Sequence, residues 1–119
     1  MPNPKPPVCS LADKDCLPCQ GGTVPLAGEA LQALAKELGG GWTVVDEHHL
    51  EREYGFPDFR TALDFTCRVG ELAETVGHHP EIHLAWGRVK LVVWTHKIDG
   101  LADADFVFAA KADRLFLGS

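Results

Sequence analysis

The sequence has no uninterrupted apolar run near the ~20 residues that a bilayer-spanning helix requires, so a membrane role is not expected. It also lacks a basic excess. Against 17 Asp and Glu stand 11 Lys and Arg, for a formal net charge of −6, and direct binding to nucleic acid, which needs a cationic patch, is not expected. The opening MPNPKPPVCS has no apolar h-region, which points to a cytoplasmic chain. There is no Gly-rich phosphate loop, nucleophile elbow, dinucleotide fingerprint or HEXXH metal motif. Cysteine is scarce and unevenly placed, with Cys9, Cys16 and Cys19 near the start and Cys67 standing alone later. Without a secretory signal these are expected as thiols. Cys16-Leu17-Pro18-Cys19 is a CxxC, but Cys9 brings the local ligand count only to three, short of the four that close a structural zinc site. The βαβ surroundings of a redox motif are missing as well.

What is present describes one small globular domain. Hydrophobic residues make up 45% and charged residues 24% of 119 positions, ordinary values for a chain of this size. Residues 1–22 are expected to form a flexible Cys/Pro-rich tail, since six of the eight prolines fall within 1–25 and no apolar periodicity runs through it. The domain occupies 23–119. Leu26, Ala30, Leu31, Leu34, Ala35 and Leu38 predict a short amphipathic helix stopped by Gly39-Gly40-Gly41. Two short strands come next, Trp42 to Val45 and Leu50 to Tyr54, about a turn from Asp46 to His49, where His48 and His49 are expected at the surface. Pro57 is placed in the first turn of a long central helix carrying Phe59, Ala62, Leu63, Thr66, Val69, Leu72, Ala73 and Val76 to Gly77. Ile82, Leu84 and Trp86 alternate on one strand, Gly87 turns the chain, and Val89 to Thr95 alternate on the returning one. Gly100-Leu101 leads into a last helix. This order specifies an α+β fold: a two-layer sandwich, its four-stranded antiparallel sheet carrying helices on one face. The other face, with Val92 and Trp94, is expected to be covered by a second copy of the chain.

The chemistry concentrates between Glu74 and Asp105. Glu74 lies four residues before His78 and can share its helix face. Gly77 can stop that helix in the left-handed conformation and Pro80 prevents it resuming, so His78 and His79 are held on a rigid corner. His96, expected at the end of the returning strand, is brought back beside that corner by the hairpin. Three imidazoles reaching one cavity can donate and accept protons near neutral pH, with Glu74 orienting one of them. The competing use of three His and a Glu is a catalytic zinc site, although adjacent residues such as His78 and His79 seldom point the same way.

Taken with their spacing, Glu74, His78-His79-Pro80, Trp86, His96 and Asp105 resemble the signature of the pterin-4a-carbinolamine dehydratases, a family also known as the dimerisation cofactor of a homeodomain transcription factor. The resemblance covers roughly residues 23–117, including Gly41-Trp42, Phe56-Pro57-Asp58-Phe59 and Thr95-His96 with Gly100-Leu101. It implies a metal-free and cofactor-free hydro-lyase that removes water from 4a-hydroxytetrahydrobiopterin to give quinonoid dihydropterin, in tetrahydrobiopterin recycling. It implies His78 and His96 as the acid–base pair, His79 as a catalytic and binding partner, and Glu74, Pro80 and Thr95 about the pterin. A homodimer or homotetramer and an aromatic amino-acid hydroxylase are the partners it implies. A dimerising protein-binding or coactivator module without significant catalysis is the alternative. Ile82 stands where some members carry an aromatic. Ala102 stands at an N-cap position better filled by Ser, which leaves Asp103 or Asp105 to satisfy the helix start. Asp105 is thereby expected as a helix-start residue with no chemical role.

Overall fold

The computed structural model describes residues 11–13 and 24–118. Its main elements are α1 (Gly28–Leu38), β1 (Thr43–Val45), β2 (His49–Gly55), α2 (Phe59–Val76), β3 (Glu81–Ala85), β4 (Arg88–Val93) and α3 (Asp103–Leu117). The strands form one antiparallel sheet in the order β1-β2-β4-β3, and the α+β sandwich expected from the sequence is the fold. Alternation assigns the faces. Leu50 and Tyr54 of β2 and Val89, Leu91 and Val93 of β4 are at most 1% exposed and meet Phe65 and Val69 of α2 and Phe106 and Phe108 of α3. The opposite face carries Glu51, Lys90, Glu81 and His83. Val92 is only 9% exposed there, and Trp94 is half-buried against histidines of the same chain. The two apolar residues expected to await a partner are thus largely covered from within.

Element ends obey local chemistry. Pro57, expected in the first turn of α2, lies just before it; Asp58 caps the helix, its carboxylate accepting the Thr61 N–H at 2.9 Å, the usual work of an N-cap Asp. The Phe56 amide instead donates to the Gly87 carbonyl at 2.9 Å, which ties the end of β2 to the β3–β4 turn. Leu26, expected within α1, donates its amide to the Leu101 carbonyl at 2.8 Å and so anchors the chain beside the start of α3. Asp46 and Glu47 both have φ of 54° and sit at the centre of a tight three-residue turn completed by His48, whose amide donates to the Val45 carbonyl at 2.8 Å, so β2 begins at His49. Part of the expected flexible tail is docked: Leu11–Asp13 forms a short 3-10 turn, Leu11 is 4% exposed, and Lys111 Nζ donates to the Ala12 carbonyl at 2.8 Å. Burial of Leu11 against α3 is the reason. The CxxC lies outside the described residues.

A polar hub locks α3 to the sheet. Asp113 accepts from Trp42 Nε1 at 3.0 Å, Arg52 at 2.8 Å and Tyr54 Oη at 2.6 Å. Burial, then the hydrogen bond to Asp113 and its charge, push the Tyr54 phenol far above its ordinary range. A phenol whose folded pKa is raised contributes stability that is present below the unfolded value of about 10 and is lost as pH rises beyond it. Tyr54 is the chain's one tyrosine, so tyrosinate absorbance reads this site alone. The expected result is no tyrosinate signal in the folded protein through about pH 11, then its appearance together with the loss of far-UV circular dichroism. Ionisation with the fold retained would contradict the hub.

Candidate functional site

Two chain corners meet because of the register. Glu81, first residue of β3, pairs with Val92 near the end of β4, so the segment entering β3 lies beside the segment leaving β4. The His78-His79-Pro80 corner is the entering segment. Gly77, with φ of 71°, ends α2 in the left-handed conformation, and the amides of Gly77 and His78 both donate to the Ala73 carbonyl. A side chain at Gly77 would meet no atom within 4 Å, so the penalty there is one of backbone alone. Gly77→Ala is expected to destabilise the protein by about 1 kcal/mol, read as a lowered denaturant midpoint. An unchanged midpoint would show that the corner tolerates another backbone geometry.

Beyond β4 the structure departs from expectation. The strand ends at Val93, Thr95 pairs back with Gly100, and His96–Ile98 makes a single 3-10 turn closed by Asp99 at φ 52°. His96 therefore sits on a small loop and not on a strand end, because the Thr95–Gly100 bridge bends the chain away from the sheet.

An open groove of about 290 Å³ is lined by Gly77, His78, His79, Trp94, Thr95, His96 and Lys97. It unites the three imidazoles and Thr95. Pro80 is half-buried in the corner and is not one of the lining residues. Glu74 is 79% exposed and faces a separate surface depression with Cys67 and Gly70. Its carboxylate reaches His79 Nε2 at 2.6 Å rather than His78. The left-handed Gly77 breaks the helical i, i+4 relation, turning His79 outward to Glu74 and His78 inward.

His78 is 15% exposed, and its Nε2 lies 2.6 Å from Oδ1 of Asp105, which is wholly buried. The second oxygen of Asp105 accepts from Thr95 Oγ1 at 2.6 Å and from the Ala102 amide at 2.9 Å. Asp105 does satisfy the start of α3, as expected, but the same carboxylate also grips the groove histidine and its threonine. A carboxylate only accepts, so His78 donates from Nε2–H and its Nδ1 is the atom able to take up or release a proton. The sequence signal was the Ala at the N-cap: a helix start without its own side-chain cap leaves the N3 carboxylate to reach back, close to whatever precedes the helix.

His48 and His49 also differ from expectation. Both are half-buried. Their Nδ1 atoms are 3.0 Å apart, His48 Nε2 is 2.8 Å from Asp99, and His49 Nε2 is 3.0 Å from Glu51. The hydrogen bond from His49 is the main influence lowering the Glu51 carboxyl, with Lys90 adding to it. Among the described residues, no group of three or more His, Cys, Asp or Glu is arranged to hold a metal ion, and no helix is long and apolar enough to cross a membrane.

Solved structures place this sandwich among the pterin dehydratases. A transcriptional coactivator/pterin dehydratase from Brucella melitensis superposes with a TM-score of 0.71 at 30% identity, over 76% of this chain and 97% of that one. A pterin dehydratase-like RuBisCO assembly factor of the alpha-carboxysome shares the fold, with a TM-score of 0.56 at 21% identity over 66% of this chain. Among sequence relatives, a protein of Rubrobacter xylanophilus is 62% identical over 88% of this chain and 97% of its own, and one of Alkaliphilus metalliredigens is 50% identical over 88% and 95%. Both bear the provisional name pterin-4-alpha-carbinolamine dehydratase. The family model described as pterin 4 alpha carbinolamine dehydratase matches residues 24–115, and the chain belongs to that family. Dehydration of a pterin carbinolamine, a hydro-lyase reaction, is the activity that family and relatives support.

Proposed function

We propose that this protein dehydrates 4a-hydroxytetrahydrobiopterin to quinonoid dihydropterin and water by histidine acid–base catalysis. The observation carrying this reading is the buried Asp105, which fixes one imidazole of three lining a single open groove. In the reaction one imidazolium protonates the C4a hydroxyl, the C4a–O bond breaks and water leaves. A neutral imidazole takes the N5 proton as the N5 electron pair forms the C4a=N5 bond. No electrons are exchanged with a third party. His78, with its Nδ1, and His96, on the facing loop, are the acid–base pair. His79, hydrogen-bonded to Glu74, orients the substrate, so Glu74 acts through it. Thr95 lines the groove while donating to Asp105, and Pro80 keeps the corner rigid. In this reading the protein serves tetrahydrobiopterin recycling beside an aromatic amino-acid hydroxylase in the cytoplasm. It works as a homodimer or homotetramer, for which the edge strand β3 and the 72% exposed Trp86 offer surface.

The second reading, a dimerising coactivator module, draws on the name of the Brucella melitensis protein. A titration with 7,8-dihydrobiopterin, a reduced pterin that cannot dehydrate, followed by NMR separates the two. Shifts confined to His78, His79, Trp94 and His96 are expected. Saturable shifts elsewhere with these four unmoved, or no shifts at all, would sink the catalytic assignment.

A further inference from the structure

His78 is anchored by a buried carboxylate, whereas His96 has an exposed side chain on a one-turn loop. The contact that orients it is with Trp94: the imidazole and indole stack with centroids 4.0 Å apart and planes at 22°. Trp94 is held in its turn. The His48 ring lies 4.4 Å from the indole at a 44° tilt. His48 donates from Nε2 to Asp99 at 2.8 Å and His49 from Nε2 to Glu51 at 3.0 Å, and the two Nδ1 atoms, 3.0 Å apart, share a hydrogen bond when one of the rings is protonated. Asp99 is the residue that closes the turn carrying His96. The β1–β2 turn therefore braces the His96 loop twice, once through the indole and once through Asp99.

We infer that Trp94 is a positioning residue that holds the His96 imidazole toward the groove, and that His48 braces it there. The kinetic part rests on the dehydratase reading. An exposed histidine otherwise divides its time among several side-chain rotamers, and proton transfer needs the ring within hydrogen-bond reach of the reacting atom. Stacking on a held indole removes most of those alternatives, because aromatic pairs favour a few offset geometries.

The experiment compares Trp94→Leu, Trp94→Phe and His48→Ala in two ways: kcat and KM for carbinolamine dehydration, and the His96 ring-proton resonances of the substrate-free protein. Trp94→Leu is expected to lower kcat about tenfold with KM within about twofold, the scale of a modest misplacement of a catalytic group. The His96 ring protons should also move downfield as the indole ring current is lost. Trp94→Phe, which keeps an aromatic face, should restore most of kcat, and His48→Ala should fall between. Wild-type kcat with unmoved His96 resonances in Trp94→Leu would overturn the inference. An intact kcat with a tenfold higher KM would overturn it too, by making Trp94 a wall for the substrate. His48→Ala matching the wild type in both readouts would remove His48 from the arrangement. If the wild type itself does not accelerate the dehydration, the dehydratase reading fails, while the resonances still decide whether Trp94 holds His96.

Discussion

Replacing His78 by Ala is expected to lower kcat for carbinolamine dehydration by about 10²- to 10⁴-fold, the usual worth of a positioned general acid or base. The surroundings of the ring set this scale. Asp105 takes Nε2–H, and Thr95 and the Ala102 amide occupy the other carboxylate oxygen, so the imidazole has one orientation and one tautomer. His79, 58% exposed and paired to the solvent-facing Glu74, should matter less, with a loss of roughly tenfold if it orients substrate without moving a proton. Stopped-flow absorbance gives the rates, and circular dichroism verifies that each variant is folded. Partial recovery of His78→Ala by added imidazole would tie the loss to the missing proton carrier. A fully active His78→Ala would remove this residue from the chemistry.

The second large effect is expected at Asp105. Asp105→Ala removes the buried acceptor of three donors: the half-buried His78 ring N–H, the buried Thr95 hydroxyl and the half-buried Ala102 amide. Each unmet buried donor costs about 1–3 kcal/mol and the terms do not add fully, so a loss near 3–5 kcal/mol is expected. That is a large share of the roughly 5–15 kcal/mol typical of a domain. Asp105→Asn keeps the volume and one carbonyl acceptor but turns an amide N–H₂ toward a donor. It should unfold about 2 kcal/mol more easily and lose about 10- to 100-fold in kcat as His78 loses its fixed tautomer. Urea midpoints and kcat on the same samples separate the two effects. If Asp105→Asn matched the wild type in both, the carboxylate would neither stabilise the fold nor support His78.

How much of this was legible in the sequence depended on the range of the interaction. Periodicity and turn residues located α2, the β3–β4 hairpin and the His78-His79 corner, because a helical stripe, Gly77, Pro80 and Gly87 act within a few positions of themselves. The spacing of Glu74, His78, His96 and Asp105 carried the family resemblance. Long-range choices were not legible. Nothing local shows that Thr95 pairs with Gly100 and bends His96 off the strand, or that Gly77 hands Glu74 to His79 in place of His78. Trp94 read as an outward strand residue because alternation makes it one; that His48 would cover it depends on the three-residue turn from Asp46 to His48, whose positive φ values at Asp46 and Glu47 are uncommon for Asp and Glu. Asp105 read as a cap because its local bond is a cap. Its grip on His78 spans 27 positions.

The most direct measurement is the decay of freshly generated 4a-hydroxytetrahydrobiopterin, followed by absorbance, with chelator-dialysed protein and a His96→Ala control. Clear acceleration by the wild type, with little or none by the control, is the expected result. A well-folded wild type that leaves the spontaneous rate unchanged would contradict dehydration by the histidine groove and leave the binding-module reading in its place.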